Sequence, residues 1–271
     1  MHRCLELASL GMGNVAPNPM VGAVLVYDNR IIGEGYHMQF GGPHAEVNCI
    51  NSVKPADREL ISKSSLYVSL EPCNHFGKTP PCSDLIIKNR IPEVVIACTD
   101  PFEKVNGSGI NKLMEAGVKV ITGILEKNAI SLNTRFFTFH QQKRPYIILK
   151  WAQSANKKIS GKNGEPVRIS HALTDRLVHR WRSEEAAIMV GTNTALKDNP
   201  SLTTRLWKGK NPIRIVVDNQ LKIPSAFTLF NGEAPLIIFN HLHFIRSSVF
   251  DIRCSVFFIF LISNTEHRTS K

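Results

Sequence analysis

An α/β protein of two domains is what this sequence predicts, and three observations carry that expectation. Short apolar runs bounded by Pro, Gly and Asp alternate with helical patterns through the first half. A polar stretch, HQQKRP at residues 140–145, breaks the alternation. A second α/β pattern restarts at Tyr146. The length of 271 residues suits two domains, expected at 1–143 and 144–240, with a tail at 241–271 of different character. An apolar content of 43% excludes disorder, and 17 Gly and 15 Pro without a period exclude a fibrous repeat.

In the first half, residues 20–27 (MVGAVLVY) and 31–36 flank a turn at Asp28-Asn29 and predict a hairpin. Residues 66–70, 94–98 and 118–122 are short and apolar, as buried strands are. Helical patterns lie at 3–10, 45–52, 83–89, 110–116 (closed by Gly117) and 126–140. Strands separated by helices imply a three-layer α/β/α sandwich. The second half offers strands at 146–151, 187–190 and 213–217, a helix at 173–185, and a further strand LIIF within 231–240.

No apolar run approaches the ~18–20 residues needed to cross a bilayer. The longest, 256–262, has seven. The start, MHRCLEL, has no signal-peptide core, so a cytoplasmic protein is expected; its first helix begins abruptly, as if clipped. Net charge is +11 and unevenly spread. Residues 1–143 are nearly neutral, whereas 144–240 carry 15 Lys/Arg against 7 Asp/Glu. There is no Lys/Arg run and no interleaved aromatic pattern, so small phosphorylated ligands explain the excess better than nucleic acid. Six Cys in a cytosolic chain suggest metal, catalysis or packing rather than disulfides.

The chemistry concentrates in His44-Ala45-Glu46, Glu71-Pro72-Cys73 and Pro80-Pro81-Cys82. One imidazole and two thiolates are three zinc ligands, leaving a fourth position for water, as in catalytic sites. Glu46, two residues from His44, is placed to shuttle a proton without ligating. H-x-E followed by Pro-Cys and a second Cys is the signature of the zinc deaminases. A purely structural zinc would need a fourth protein ligand, and His75 follows Cys73 too closely to serve.

Four stretches together resemble the bifunctional riboflavin-biosynthesis deaminase–reductase family. They are Ala16-Pro-Asn-Pro-Met-Val-Gly22, Gly35-Tyr-His37, Pro43-His-Ala-Glu46 and the loop from Cys73 to Cys82, which has eight intervening residues. The likeness runs from residue 1 to about 240. It implies a cytidine-deaminase-like first domain and a dihydrofolate-reductase-like second domain. The implied substrate is a 2,5-diamino-6-ribosylamino-pyrimidinone 5′-phosphate, which loses the amine on C2 before NADPH reduces its ribose to ribityl. Asn18, His75, Lys78 and Thr79 offer donors for such a ligand beside the metal, although each also suits a turn.

For the second half the resemblance implies cofactor contacts at Arg168, Thr194, Asp198 and Asn219. It implies substrate contacts at Arg182, Leu202 and Arg205, the two Arg being natural phosphate clamps. Without the resemblance, Arg182 is equally an exposed helix charge. The family's Gly-rich loop at the cofactor pyrophosphate has no counterpart, because no Gly follows Gly232. A truncation or shifted frame near His241 is therefore expected, with reduction impaired. The expected partner is a small molecule, with no nucleic acid and no membrane, and a homo-oligomer stays open. Two other readings remain, a tRNA or nucleoside deaminase and a nucleic-acid-binding module with structural zinc.

Overall fold

The computed structural model describes residues 1–76, 80–103 and 105–240, and two backbone strands beyond them, Ile245–Arg246 and Phe258–Leu261. The chain divides into two compact units, Met1–Arg144 and Pro145–Lys271. Among the described residues no helix is long and apolar enough to cross a membrane.

In the first unit, β1 (Gly22–Tyr27) and β2 (Arg30–Tyr36) form a hairpin. Its two turn residues, Asp28 and Asn29, both have positive φ (46° and 57°), the conformation of a tight two-residue turn matched to strand twist. β3 (Ser65–Val68) pairs antiparallel with β1, and β4 (Glu93–Ile96) and β5 (Lys119–Thr122) extend the sheet in parallel. The order is β2-β1-β3-β4-β5.

Side chains alternate across this sheet, as the period of two requires. Ala23, Leu25, Leu66, Val68, Val94 and Ile96 form one core. They meet Ala45 and Cys49 of α2 (Ala45–Asn51), Ile86 of α3 (Cys82–Lys88) and Leu113 of α4 (Ser108–Glu115). Val24 turns the other way, onto Cys4 and Leu7 of α1 (His2–Ser9). α5 (Glu126–Leu132) and α6 (Thr134–Gln142) add Ala129, Phe136 and Phe137 to a cluster with Leu70, Ala97 and Cys98. This is the expected three-layer arrangement. The one helix expected over 126–140 is two, broken at Asn133. The Asn133 amide is committed elsewhere: its Oδ1 accepts from the Met20 N–H and its Nδ2 donates to the Met20 carbonyl, both at 2.8 Å.

Among the described residues the second unit holds a six-stranded sheet. Its strands are β6 (Ile147–Lys150), β7 (Ala187–Gly191), β8 (Ile213–Val217), β9 (Leu236–Phe239), β10 (Ile245–Arg246) and β11 (Phe258–Leu261). The order is β10-β9-β8-β7-β11-β6, with only the β9–β10 pair antiparallel. Phe258–Leu261, in the segment expected to be a tail, thus pairs with both β6 and β7. α7 (Ala172–Glu184) matches the expected helix to within a residue. α8 (Thr192–Asp198) directly follows β7 and was not anticipated. Ile188, Val190, Ala195, Leu202, Val216, Ile223, Leu229 and Leu236 make this unit's core.

Candidate metal centre

His44 caps the start of α2, and Glu46 lies in that helix's first turn. β2 and α2 approach closely: a Cβ on Gly35 would lie 2.2 Å from the Cys49 amide nitrogen, so only glycine permits the contact that seats this helix. Cys73 follows β3 on a loop, and Cys82 opens α3 behind Pro81. These elements bring together one Nδ1 and two Sγ atoms, all within 4.8 Å of one another. Cys73 Sγ stands 3.6 Å and Cys82 Sγ 3.3 Å from His44 Nδ1. A tetrahedral zinc with Zn–N near 2.0 Å and Zn–S near 2.3 Å needs N···S spacings of about 3.6 Å. The donor set fits that ion.

Charge is distributed to match. Cys73 is held well below the ordinary thiol range, first by a hydrogen bond from the Cys82 thiol and then by His44. It also accepts the Cys82 backbone N–H at 3.4 Å. Cys82 is pushed up by its partnership with Cys73 and by burial, so in the metal-free protein the pair shares one proton. Glu46 is 3% exposed, and burial, reinforced by the Cys73 thiolate, raises its carboxyl to about 7. That value belongs to the metal-free site; a divalent cation on the neighbouring donors would favour the ionised carboxylate.

Around this centre the expected ligand residues divide. Asn18 Nδ2 donates to His37 Nε2 at 3.1 Å, and His37 Nδ1 donates to the Pro43 carbonyl at 3.0 Å. Burial lowers the His37 pKa, so its ring stays neutral and acts as a fixed relay between Pro43 and Asn18. The sequence alone gives His37 no role, since its partners lie 19 residues before it and six after it without a motif that links them. His75 packs edge-to-face on Phe102, and its Nδ1 is buried with no hydrogen-bond partner among the described residues. Lys78 and Thr79 lie outside the described residues.

In the second unit, Arg182 Nη1 donates to the Thr203 carbonyl at 3.0 Å, while its buried Nε has no partner among the described residues. Burial, and then Arg205, bring its pKa down to about 10. Arg205 is held by Ser201 and Thr203 hydroxyls, and its backbone N–H donates to His179 Nδ1 at 2.9 Å. Lys150, unmarked in the sequence, is also lowered by burial and by Arg182. Such crowded cations favour an anion between them. The expected cofactor residues are less gathered. Thr194 is buried in α8, and Asp198, whose pKa burial raises, ends that helix. Asn219 is exposed beyond Asp218, whose carboxylate accepts the Ile223 N–H. Arg168 is exposed and pairs with Asp175. Leu202 is 1% exposed in the core, with φ of 55°.

Comparison with known proteins agrees with both halves. Residues 1–98 match the cytidine and deoxycytidylate deaminase zinc-binding region, and residues 145–264 match the RibD C-terminal domain. Riboflavin biosynthesis protein RibD of Aquifex aeolicus is 43% identical over 240 residues, covering 88% of this chain and 66% of the relative. That of Actinobacillus pleuropneumoniae is 44% identical, covering 83% and 58%. The chain thus spans about two thirds of the length of the curated relatives it matches, or less. A solved Thermotoga maritima structure, a diaminohydroxyphosphoribosylaminopyrimidine deaminase/5-amino-6-(5-phosphoribosylamino)uracil reductase, superposes with a TM-score of 0.87. It is 38% identical, and the match covers 96% of this chain and 79% of that one.

Fold and site define a cytidine-deaminase-like unit with a zinc donor set, followed by a dihydrofolate-reductase-like unit. The chain belongs to the RibD family of riboflavin biosynthesis proteins.

Proposed function

We propose that the first unit is a zinc-dependent hydrolytic deaminase of 2,5-diamino-6-ribosylamino-4(3H)-pyrimidinone 5′-phosphate, acting in the cytoplasm. The observation that carries this is the convergence of His44, Cys73 and Cys82 beside a buried Glu46. Zinc held by these three residues would supply a Lewis acid that makes water nucleophilic near neutral pH. Glu46 takes the proton of the attacking water and returns it to the amine departing from C2. Water adds its oxygen to C2, the C2–N bond breaks, and ammonia leaves. Asn18, fixed by His37, and His75, with an unspent buried nitrogen, present polar groups for the pyrimidine and its ribosyl phosphate. Lys78 is assigned to the same ligand.

The second unit, on this reading, binds the deaminated product and NADPH, which would supply the hydride for ribose reduction. Arg182 and Arg205 take the substrate phosphate, and Leu202 shapes the wall behind them. Arg168, Thr194, Asp198 and Asn219 are the cofactor side. The desolvated Arg182, with its unpartnered Nε, is what favours a phosphate there.

The deciding measurement is ammonia release from the diaminopyrimidine phosphate by zinc-loaded protein, with tRNA and free nucleosides as competing substrates. Release from the diaminopyrimidine alone, abolished by chelation, is expected. Full activity after the metal is stripped, or preference for tRNA, would overturn the proposal.

A further inference from the structure

Glu71 stands two residues ahead of Cys73 and has no part in the chemistry above. It is buried, and its carboxylate meets backbone N–H groups on both oxygens. Oε1 accepts from Gly109 at 2.9 Å and Ile110 at 3.3 Å. Oε2 accepts from Gly107 at 2.9 Å and Asp100 at 3.2 Å. Three of these four donors belong to the start of α4, whose cap residue is Gly107. A glycine has no side chain to satisfy the open N–H groups of a first turn. Glu71 supplies the missing acceptor from another part of the chain, with its negative charge at the positive end of the helix.

The same contact grips the metal ligand. A Cβ on Gly109 would lie 2.0 Å from the Pro72 carbonyl oxygen, so α4 presses directly on the peptide that precedes Cys73. On the other side of Cys73, Asn74 Nδ2 donates to the Ser108 carbonyl at 3.3 Å, and Asn74 Oδ1 accepts from Ser83 Oγ at 3.3 Å. α3, which begins with Cys82, is tied to α4 by the Asp84–Lys112 pair at 2.6 Å. Eight residues separate Cys73 from Cys82, so chain connectivity alone leaves their spacing loose. The Cys82 N–H on Cys73 Sγ and the Ser83 N–H on the Cys73 carbonyl (3.1 Å) join the two ends directly, and the Glu71 contacts add an anchor outside the loop.

We propose that Glu71 is a positioning residue for the metal centre. Its carboxylate clamps the start of α4 to the Glu71–Asn74 segment and so sets Cys73 Sγ against Cys82 and His44. The inference rests on the zinc-deaminase reading. The test compares zinc affinity by chelator competition, and the thiolate-to-metal absorption of the cobalt-substituted protein, in wild type, Glu71→Gln and Asn74→Ala. Thermal unfolding of the metal-free forms is followed alongside. An amide at 71 loses the charge and turns a donor toward N–H groups, so zinc affinity should fall about 10–100-fold with a changed cobalt spectrum. Asn74→Ala removes only the tie beyond Cys73 and should weaken zinc several-fold; Glu71→Asp, which keeps the charge but draws it back from the α4 N–H groups, is measured in the same way and carries the test if Glu71→Gln does not fold. Wild-type zinc affinity and cobalt spectrum in each folded variant, whatever its melting temperature, would overturn the proposal. A wild-type protein that binds no zinc would instead remove the deaminase reading.

Discussion

The two units place their functional groups in contrasting ways. In the first, one imidazole and two thiols lie within 4.8 Å of one another, and a buried carboxyl stands two residues from the imidazole. In the second, the assigned residues are spread from Arg168 to Asn219, and Leu202 lies inside the core. The difference follows from the chemistry each must do. A metal accepts few donor types at fixed distances, so the sequence must carry them as a recognisable set. Phosphates accept any well-placed cation or backbone N–H, so a phosphate site can be assembled from ordinary surface residues. Sharp motifs therefore mark the first unit, and only charge and resemblance mark the second.

The largest expected effect tests whether the first unit is as concentrated as it looks. Cys73→Ser or Cys82→Ser should lose zinc and deamination together, because two remaining ligands hold the ion weakly. Metal analysis showing about one zinc per chain in either variant would break the comparison. Glu46→Gln comes next. It is nearly isosteric and leaves the three donors in place, so zinc should stay while turnover falls by about 10²–10⁴. If metal leaves with activity, Glu46 is a structural part of the centre rather than its proton carrier.

What was legible in the sequence follows the same division. Asp28-Asn29 announced a tight turn because positive φ at both positions tolerates few residue types. His44, Glu46, Cys73 and Cys82 were legible because metal chemistry restricts their identity and order. Asn133 was not, since the break it makes in 126–140 answers to Met20, more than a hundred positions away. α8 was missed because GTNTALKDN is short and rich in Thr, Asn and Asp, which suit turns as well as helices. His37, Glu71, Lys150 and His179 have roles made by tertiary partners alone. Of these Glu71 left the best clue, its place directly before Pro72-Cys73.

A third prediction sharpens the independence of the units. Arg214 is fully buried in β8, and among the described residues none of its hydrogen-bond partners is a carboxylate. Its guanidinium donates to the carbonyls of Ser201, Thr228 and Ala234 and to Asn231 Oδ1, tying three loops of the second unit. Arg214→Met keeps bulk and strands those acceptors, which should cost about 3–5 kcal/mol. Trp151, Trp181 and Trp207 all lie in this unit, so tryptophan fluorescence follows its unfolding alone. That transition should drop in urea while zinc content and ammonia release hold. A parallel loss of deamination would mean the halves fold as one.

The smallest effect is a difference in the sign of pH dependence, measured on metal-free protein. In the first unit burial raises the Asp100 carboxyl to about 7 from its ordinary 3.8. The folded state then binds the proton more tightly than the unfolded chain, so Asp100 favours folding below about pH 4, and that contribution is lost as pH rises through 7. In the second unit burial, with Arg182 and Arg205 nearby, lowers His179 to about 4 from 6.5. Here the unfolded chain binds the proton more tightly, so the contribution is present above 6.5 and lost as pH falls toward 4. Substitution isolates each group: Asp100→Asn keeps an acceptor for the Phe102 N–H, and His179→Gln keeps one for the Arg205 N–H. Urea unfolding from pH 4 to 8 should show wild type gaining on Asp100→Asn as the solution is acidified, followed by far-ultraviolet circular dichroism. It should show wild type losing ground to His179→Gln over the same range, followed by tryptophan fluorescence. Each shift should be on the order of 1–2 kcal/mol. Slopes of the same sign in both pairs would mean that the environment of one of the two groups differs from the buried setting described for it.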